Sequence, residues 1–517
     1  MSASGLRVFR DSYLDSMLLM VATVSMDGQE GVTWAGATLA NARGFDDLAA
    51  AGFSGAELEG LGANDLVLAV KAGDEQTVQA ALEAGREAAF DEQEPAAGGA
   101  PDKPLTSIAE AVRRHQGVNV AIVSVPGEYA ALEAHHALTA GLHVLLFSDN
   151  VPLDQEVELK ERASRLGLLV MGPGAGTAVL GGTGLGFANA SSGGTEGAAV
   201  GVVAAAGTGA QEVSALLDRW GVRVSQVIGV GGRDLSDPVG GRMAQLAVRA
   251  LDVDPGTTAV LLVSKPPSPQ AARTVLAECR GPAVTVFLGL DDDVDAPKGV
   301  TQSPTLEQGA LAAARLTGAT PPDVAEGLRD RVAAAVDQLA PERTRVRGLF
   351  SGGTLCYEAQ YVLESLLGPV YSNEPLRKAH TADAAPQGAH VLLDLGAEEY
   401  TVGRPHPMID PSGRLEMLVA LRDEPDVAVV LLDVVLGHGA HEDPAGQVAP
   451  VCAELTSGGG PLVVAYLLGT EADPQVYSRQ REVLEQAGCL VPETNARAAY
   501  TAAALVLRRP EVCEAGR

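Results

Sequence analysis

The pattern Gly-Thr, three residues, then Glu occurs twice in this chain. Gly207, Thr208 and Glu212 carry it in VVAAAGTGAQEV, and Gly353, Thr354 and Glu358 carry it in LFSGGTLCYEAQ. Each time a small or apolar run leads into the glycine and a helix-forming run follows, so a strand hands over to a helix. The first amides of such a helix have no intrahelical acceptor and point at the turn. Together with the helix dipole they attract an anion. Glycine lets the backbone approach a ligand, and the threonine either caps the helix or touches a ligand oxygen. Chemistry suited to this is the holding of a phosphate or acyl phosphate. Gly207, Thr208, Gly209 and Ala210 would line one turn; Ser351, Gly353, Thr354, Leu355 and Cys356 would line the other. The plainer alternative is that each threonine only caps its helix.

Other residue types stand where they could act. Lys265 in VSKPPSP follows a strand, at the edge where open α/β sheets bind ligands. Arg233 in GGRD is placed similarly. Arg404 and His406 sit in the Pro-rich loop GRPHPMIDP, and His438 in LGHGAHED, both after strands; such loops carry function more often than cores do. His441, Glu442 and Asp443 add an H-x-x-H with carboxylates, but the spacing is loose and Gly-rich, so no metal site is expected. His135 and His136 in EAHHA read as helix surface. GPGAGTAVLGGTGLG does not open a first βα unit with G-x-G-x-x-G, so no dinucleotide is inferred.

Elements that must position these residues follow from apolar patterning. In residues 1–95, strands LRVF, VTWAGAT and DLVLAVKA alternate with helices DSYLDSMLLMVATVS and DEQTVQAALEAGREAAF, a small α+β domain. DEQEPAAGGAPDKP, Asp91–Pro104, reads as a linker. In 106–198, VNVAIVSVPG, LHVLLFSDN and LLVMGPGAG are near-continuous apolar strands separated by helices, the mark of a parallel, doubly wound sheet. The scheme recurs in 199–335 and again in 343–512. Each of these two regions also has a D-P-x-G element with an arginine close behind, DPVGGRMAQL and DPSGRLEML. A self-match this long predicts duplicated, flavodoxin-like domains.

Bulk properties set limits. The 517 residues suit three or four domains at roughly 100–200 residues each. A net charge of −29 with no basic cluster argues against nucleic acid, and no apolar run reaches the roughly 20 residues of a membrane helix. Asp11 and Asp15 interrupt the N-terminus where a signal peptide would be apolar. Five scattered cysteines, with no C-x-x-C, suit a reducing cytoplasm.

The order of motifs resembles succinyl-CoA synthetase. SVPGEYA, FSDNVPLDQE and GPGAG resemble the CoA-binding domain of its α subunit, a Rossmann-like fold. GTGAQE with IGVGGRDLSDP resembles the α ligase domain, and GGTLCYEA, LLDLGAEE and LLDVVLG resemble the β subunit's C-terminal domain. Fused in one chain behind a small N-terminal domain, with VSKPPSP, they resemble a full-length member of the FdrA family. The resemblance implies that Ser124, Val125, Pro126, Gly172, Pro173 and Gly174 line a CoA or substrate site. It also implies that the two Gly-Thr helices face one phosphoryl group.

For activity, the resemblance implies carbamoyl transfer between a small carboxylate or amide substrate and phosphate, in purine (allantoin) breakdown. The chain would be the synthetase-like subunit of an oxamate carbamoyltransferase and work with companion subunits. The departures point the same way. No segment is placed to be an ATP-grasp domain, no histidine lies between His143 and His380 to run a phosphohistidine relay, and the first Gly-rich CoA loop is missing. No cofactor is then required, while CoA stays open as a ligand. An acyl-CoA synthetase and a non-catalytic scaffold remain the alternative classes.

Overall fold

Near-continuous apolar runs become buried parallel strands, because helices cover both faces of each sheet. The computed structural model describes residues 3–516 except 11, 13, 15, 54–57, 59, 91–104, 192–196, 291–293 and 403. The linker read at Asp91–Pro104 lies outside the described residues. The chain divides into two units: Met1–Pro104 with Gly396–Pro411, and Leu105–Leu395 with Ser412–Arg517.

In the first unit, β1 (Ala3–Phe9), β2 (Val32–Leu39) and β3 (Leu66–Ala72) form an antiparallel sheet of order β1-β3-β2. Helices Ser16–Asp27 and Glu75–Phe90 bury Leu19, Ala22, Met26, Val78 and Leu82 against Leu66, Leu68 and Val70 of β3. The strands and the two helices are those read from the sequence; a further helix, Ala42–Ala50, was not foreseen. Gly396–Pro411, expected within the C-terminal domain, belongs to this unit.

The second unit holds three parallel arrangements. The first is β4 (Val120–Val123), β5 (His143–Leu146) and β6 (Val170–Met171), in that order. Next, a hairpin of β7 (Thr177–Leu180) and β8 (Thr183–Gly186) leads into β9 (Ala199–Ala204), β10 (Arg223–Gly229), β11 (Ala259–Ser264), β12 (Ala283–Phe287) and β13 (Val300–Gln302). These make one sheet of order β13-β12-β11-β9-β10-β7-β8, where only β7 runs against the other strands. The third sheet holds β14 (Arg345–Phe350), β15 (Val370–Tyr371), β16 (His390–Asp394), β17 (Val427–Val435) and β18 (Leu462–Leu468), ordered β15-β16-β14-β17-β18. Leu490 bridges to Val464 of β18 in parallel.

The two larger sheets repeat one topology. Setting aside the hairpin, edge strand β13 and short β15, each runs second strand, first strand, third, fourth: β10-β9-β11-β12 and β16-β14-β17-β18. Helix Gly207–Arg219 follows the first strand of one, and helix Gly353–Leu367 the first strand of the other. The duplication expected from the two motifs is present in the strand order.

The small β4-β5-β6 arrangement is not separate from the first of these sheets. One core runs through both, joining Leu145, Val170 and Met171 to Met243, Ala247 and Val248. A buried ionic network pins the same seam. Lys160, wholly buried on helix Leu153–Leu166, reaches Glu156 Oε1 (2.9 Å), Asp234 Oδ1 (2.9 Å) and the Val230 carbonyl (2.8 Å). Arg233 Nε adds an ion pair to Glu156 Oε2 at 2.8 Å and its Nη2 donates to the Val151 carbonyl. Arg233 therefore has a structural post, not the substrate-facing one its position after a strand suggested. Removing one member of a buried ionic set strands the others and costs about 3–5 kcal/mol. Lys160→Met should lose that much in urea denaturation, and Arg233→Ala, half exposed, clearly less. Equal, small losses would mean that the network does not bind the seam.

Candidate functional site

At the first turn, Ala205 N–H donates to the Val263 carbonyl (2.9 Å), and the first i→i−4 bond is from Ala210 to Ala206 (3.0 Å). Gly207, Thr208 and Gly209 come before it, so their amides head the helix. At the second turn the first such bond is from Cys356 to Gly352 (2.9 Å). Ala210 and Cys356, expected as anion donors, thus spend their amides inside the helices.

The two turns touch. Thr354 N–H donates to Thr208 Oγ1 at 3.3 Å, across 146 residues. The packing is reciprocal: a Cβ on Gly209 would lie 3.0 Å from Thr354 Cγ2, and one on Gly352 would lie 2.9 Å from Thr208 Cγ2. The absence of side chains at Gly209 and Gly352 is what lets two helix N-termini converge on one point.

Around that point the copies differ. Asp433, buried within β17, accepts Ser351 N–H and Ser351 Oγ–H on Oδ1 (both 2.8 Å) and Gly352 N–H on Oδ2 (2.7 Å). Arg414 Nη1 braces it, donating to Oδ1 (3.0 Å) and to its carbonyl (2.6 Å). Ser351 was read as a donor to a bound anion; its amide and hydroxyl serve a carboxylate of the chain itself. Val263 stands at the matching place in the first copy, 2.9 Å from a Cβ on Gly209. Asp394 stands at the end of β16 against Gly353, where a Cβ would meet its Oδ2 at 2.4 Å. Gly207 is the open position: a Cβ there meets nothing within 4 Å.

The remaining expected residues fall in several places. Lys265 Nζ lies 5.6 Å from the Tyr357 ring centroid, and its charge acts on the Cys356 thiol, so Lys265 is beside the second turn. Burial, then Asp394, holds that thiol well above the usual range, so Cys356 stays protonated at neutral pH. His438 is exposed, with its N–H on the Ala188 carbonyl (3.2 Å). Asp443 caps helix Pro444–Thr456, and His441 Nδ1 accepts Asp443 N–H (3.0 Å). Among the described residues no group of three or more His, Cys, Asp or Glu could hold a metal ion. Arg404 and His406 belong to the first unit, where Arg404 pairs with Asp47.

Ser124–Pro126 and Gly172–Gly174 do come together, at the C-terminal ends of β4, β5 and β6. Ser148 Oγ donates to the Val125 carbonyl (2.5 Å), and Gly174 N–H donates to the Ser148 carbonyl (3.1 Å). Gly172 has φ +118°, and a Cβ there would strike the Leu146 carbonyl at 2.2 Å. This is the edge where open α/β sheets bind ligands.

Comparisons with known proteins fit this architecture. The CoA-ligase family matches residues 349–505, and the AllF heavy metal-associated domain matches residues 1–104. Uncharacterized protein YahF of Escherichia coli (strain K12) is 35% identical over 496 residues, 94% of this chain and 95% of that one. The chain belongs to the YahF family, a succinyl-CoA-synthetase-like family. The α subunit of the ADP-forming succinate–CoA ligase of Methanothermobacter thermautotrophicus is 30% identical over 156 residues, 30% of this chain and 52% of that one. The dinucleotide-forming acetyl-coenzyme A synthetase 1 of Ca. Korarchaeum cryptofilum, in complex with phosphate and ADP, covers 77% of this chain and 84% of its own at 16% identity. Its TM-score is 0.25, too low to bear on the site. No His or Cys occurs in residues 1–104; the first are His115 and Cys279. Thiolate or imidazole ligation of a heavy metal therefore does not fit that domain of this family member.

Asp433 escaped sequence reading, although a lone acid inside VAVVLLDVV is a signal, since a buried charge needs a partner. Asp394, the lone acid that closes HVLLD, carries the same signal. The contact between turns can be tested directly. Thr208→Ala leaves the buried Thr354 amide without an acceptor and should cost about 1–3 kcal/mol in chemical denaturation. Thr208→Ser keeps the acceptor and gives up one methyl, about 0.8 kcal/mol. Equal losses in the two variants would show that the hydrogen bond is not what joins the turns.

Proposed function

We propose that this chain is a subunit of a carbamoyltransferase that interconverts oxalurate and phosphate with oxamate and carbamoyl phosphate. Carrying this reading is the Thr354-to-Thr208 bond, which brings two helix N-termini to one point. A phosphate oxygen attacks the carbamoyl carbon, the carbon–nitrogen bond breaks, and the oxamate nitrogen takes a proton. Amides of Gly207, Thr208 and Gly209, with Lys265, offset the charge on the phosphate. Net charge of −29 works against long-range attraction of an anion, so these short-range donors must hold it. The stretch Val144–Ala379 holds no histidine, and this transfer needs neither a phosphohistidine nor a nucleotide.

A second reading, an acyl-CoA ligase, is supported by the CoA-ligase match and by the likeness to a succinate–CoA ligase α subunit. There the Ser124–Pro126 and Gly172–Gly174 loops would take CoA.

Gly207 gives the cleanest probe, because a Cβ there meets nothing within 4 Å. Gly353→Val would collide with Asp394 and disturb the turn by itself. The assay is formation of carbamoyl phosphate from oxalurate and phosphate, using the protein with its companion subunits. Gly207→Val should keep the wild-type melting temperature and lose about 100- to 1000-fold in rate, the cost of one displaced oxyanion-type donor. A fully active Gly207→Val would refute the phosphate site at this turn. Turnover only with CoA and a nucleotide would favour the ligase.

A further inference from the structure

The glutamate of each motif copy, Glu212 and Glu358, takes no part in the turn itself. Both are wholly buried, on the two helices whose N-termini meet. A single residue holds both: Asn495, at the start of helix Asn495–Leu507. Its N–H donates to Glu212 Oε1 (3.3 Å), and its Nδ2 donates to Glu358 Oε2 (2.8 Å) and to the Leu355 carbonyl (2.9 Å). The Tyr466 hydroxyl, from β18, donates to Glu212 Oε2; Leu306 N–H donates to Glu358 Oε1 (2.6 Å). Asn495 Oδ1 is buried and has no partner among the described residues.

Surrounding charges offset the pair only in part: the Arg219 charge favours ionised Glu212, and burial outweighs it. Glu307, from helix Leu306–Leu316, adds a third carboxylate, and Arg497 is committed to it through Nη2 at 2.6 Å and Nε at 2.8 Å. Thr494 Oγ1 also donates to Glu307. Arg219, on the Glu212 helix, pairs with Glu493 at 3.1 Å and stacks on Tyr477. Tyr500 faces Glu307 and Glu358, with Tyr361 near it. Two buried carboxylates tied to one asparagine cannot both ionise cheaply. Asn495 Oδ1, buried and without a partner among the described residues, calls for a donor.

We propose that Glu212 and Glu358 form a proton-holding pair that keeps at least one proton at neutral pH, donated toward Asn495 Oδ1, and that this proton locks the two Gly-Thr helices together. The electrostatics agree. Burial above all pushes Glu212 up to about 7, and burial followed by the nearby Glu212 pushes Glu358 up to about 8. Titration belongs to the pair rather than to either residue. None of this depends on which group the turns bind.

A glutamate whose folded pKa is raised binds its proton more tightly in the folded chain. Its stabilising share is complete below the unfolded value, near 4.5, and is lost as pH rises through about 7 to 8. In that window the unfolding constant should rise by up to about tenfold per pH unit for each proton held. The test is a series of thermal melts of the whole chain from about pH 5.5 to about pH 9. Wild type should lose stability across it, and Glu212→Gln and Glu358→Gln, which mimic the protonated acid, should each flatten the loss. Infrared spectra, with glutamate carboxyls isotopically labelled, should show a protonated-acid carbonyl band in wild type at about pH 6 that vanishes by about pH 9. Labelling separates this band from Asp473, another buried acid. A wild-type melt indifferent to pH, or no labelled band at about pH 6, overturns the proposal even if neither variant folds.

Discussion

Two helix N-termini aimed at one point repel, each carrying roughly half a positive charge from its aligned peptides. Much of the larger unit can be understood as the answer to that repulsion. Thr208 offers a lone pair to the opposing Thr354 amide. Asp433 accepts three donors of the second turn, and Asp394 stands over Gly353. Arg414 then keeps Asp433 from being a lone charge in the core. Most of the relief comes from the second copy, which leaves the first turn with fewer internal acceptors and an open glycine. The pseudo-symmetric frame thereby yields an asymmetric site.

Duplication accounts for how such a convergence arises. Two copies of one strand order, each with a helix after its first strand, bring equivalent turns face to face when they pack about a common seam. The same operation brings the two motif glutamates together below the turns, where both are buried. What is favourable at the mouth of the seam, two sets of amide donors, is thus coupled by topology to something costly at its floor. Asn495 lies between these levels, touching both glutamates and the Leu355 carbonyl of the second helix's first turn.

Much of the fold was legible in the sequence because parallel strands buried on both faces are written as unbroken apolar runs. AVGVVA and VAVVLLDVV could hardly be anything else. The Gly-Thr turns were legible because they repeat. What could not be read were interactions whose partners are far apart in the chain. Asn495 has no local reason to hold Glu212 and Glu358, and nothing near Arg404 announces Asp47. Arg233 looked like a ligand residue because it follows a strand; its partner Glu156 is on a helix of another sheet layer. Ser351, Ala210 and Cys356 were sound by position and already engaged in fact. Apolar periodicity specifies which face is buried, whereas hydrogen-bond partners depend on tertiary registry.

The continuous core between the β4-β5-β6 layer and the β9 sheet has a further consequence. Three alternating α/β segments can be counted along the chain, but the first two share side chains, a hairpin strand and a buried lysine. Their boundaries in sequence are therefore not boundaries of cooperativity: the pair would melt as one body, and a cut between them would expose apolar surface on both pieces. The other seam, between the duplicated sheets, is tied as well, by Tyr466 and Asn495 on Glu212 and by Arg219 on the Leu467, Gly469 and Glu493 carbonyls.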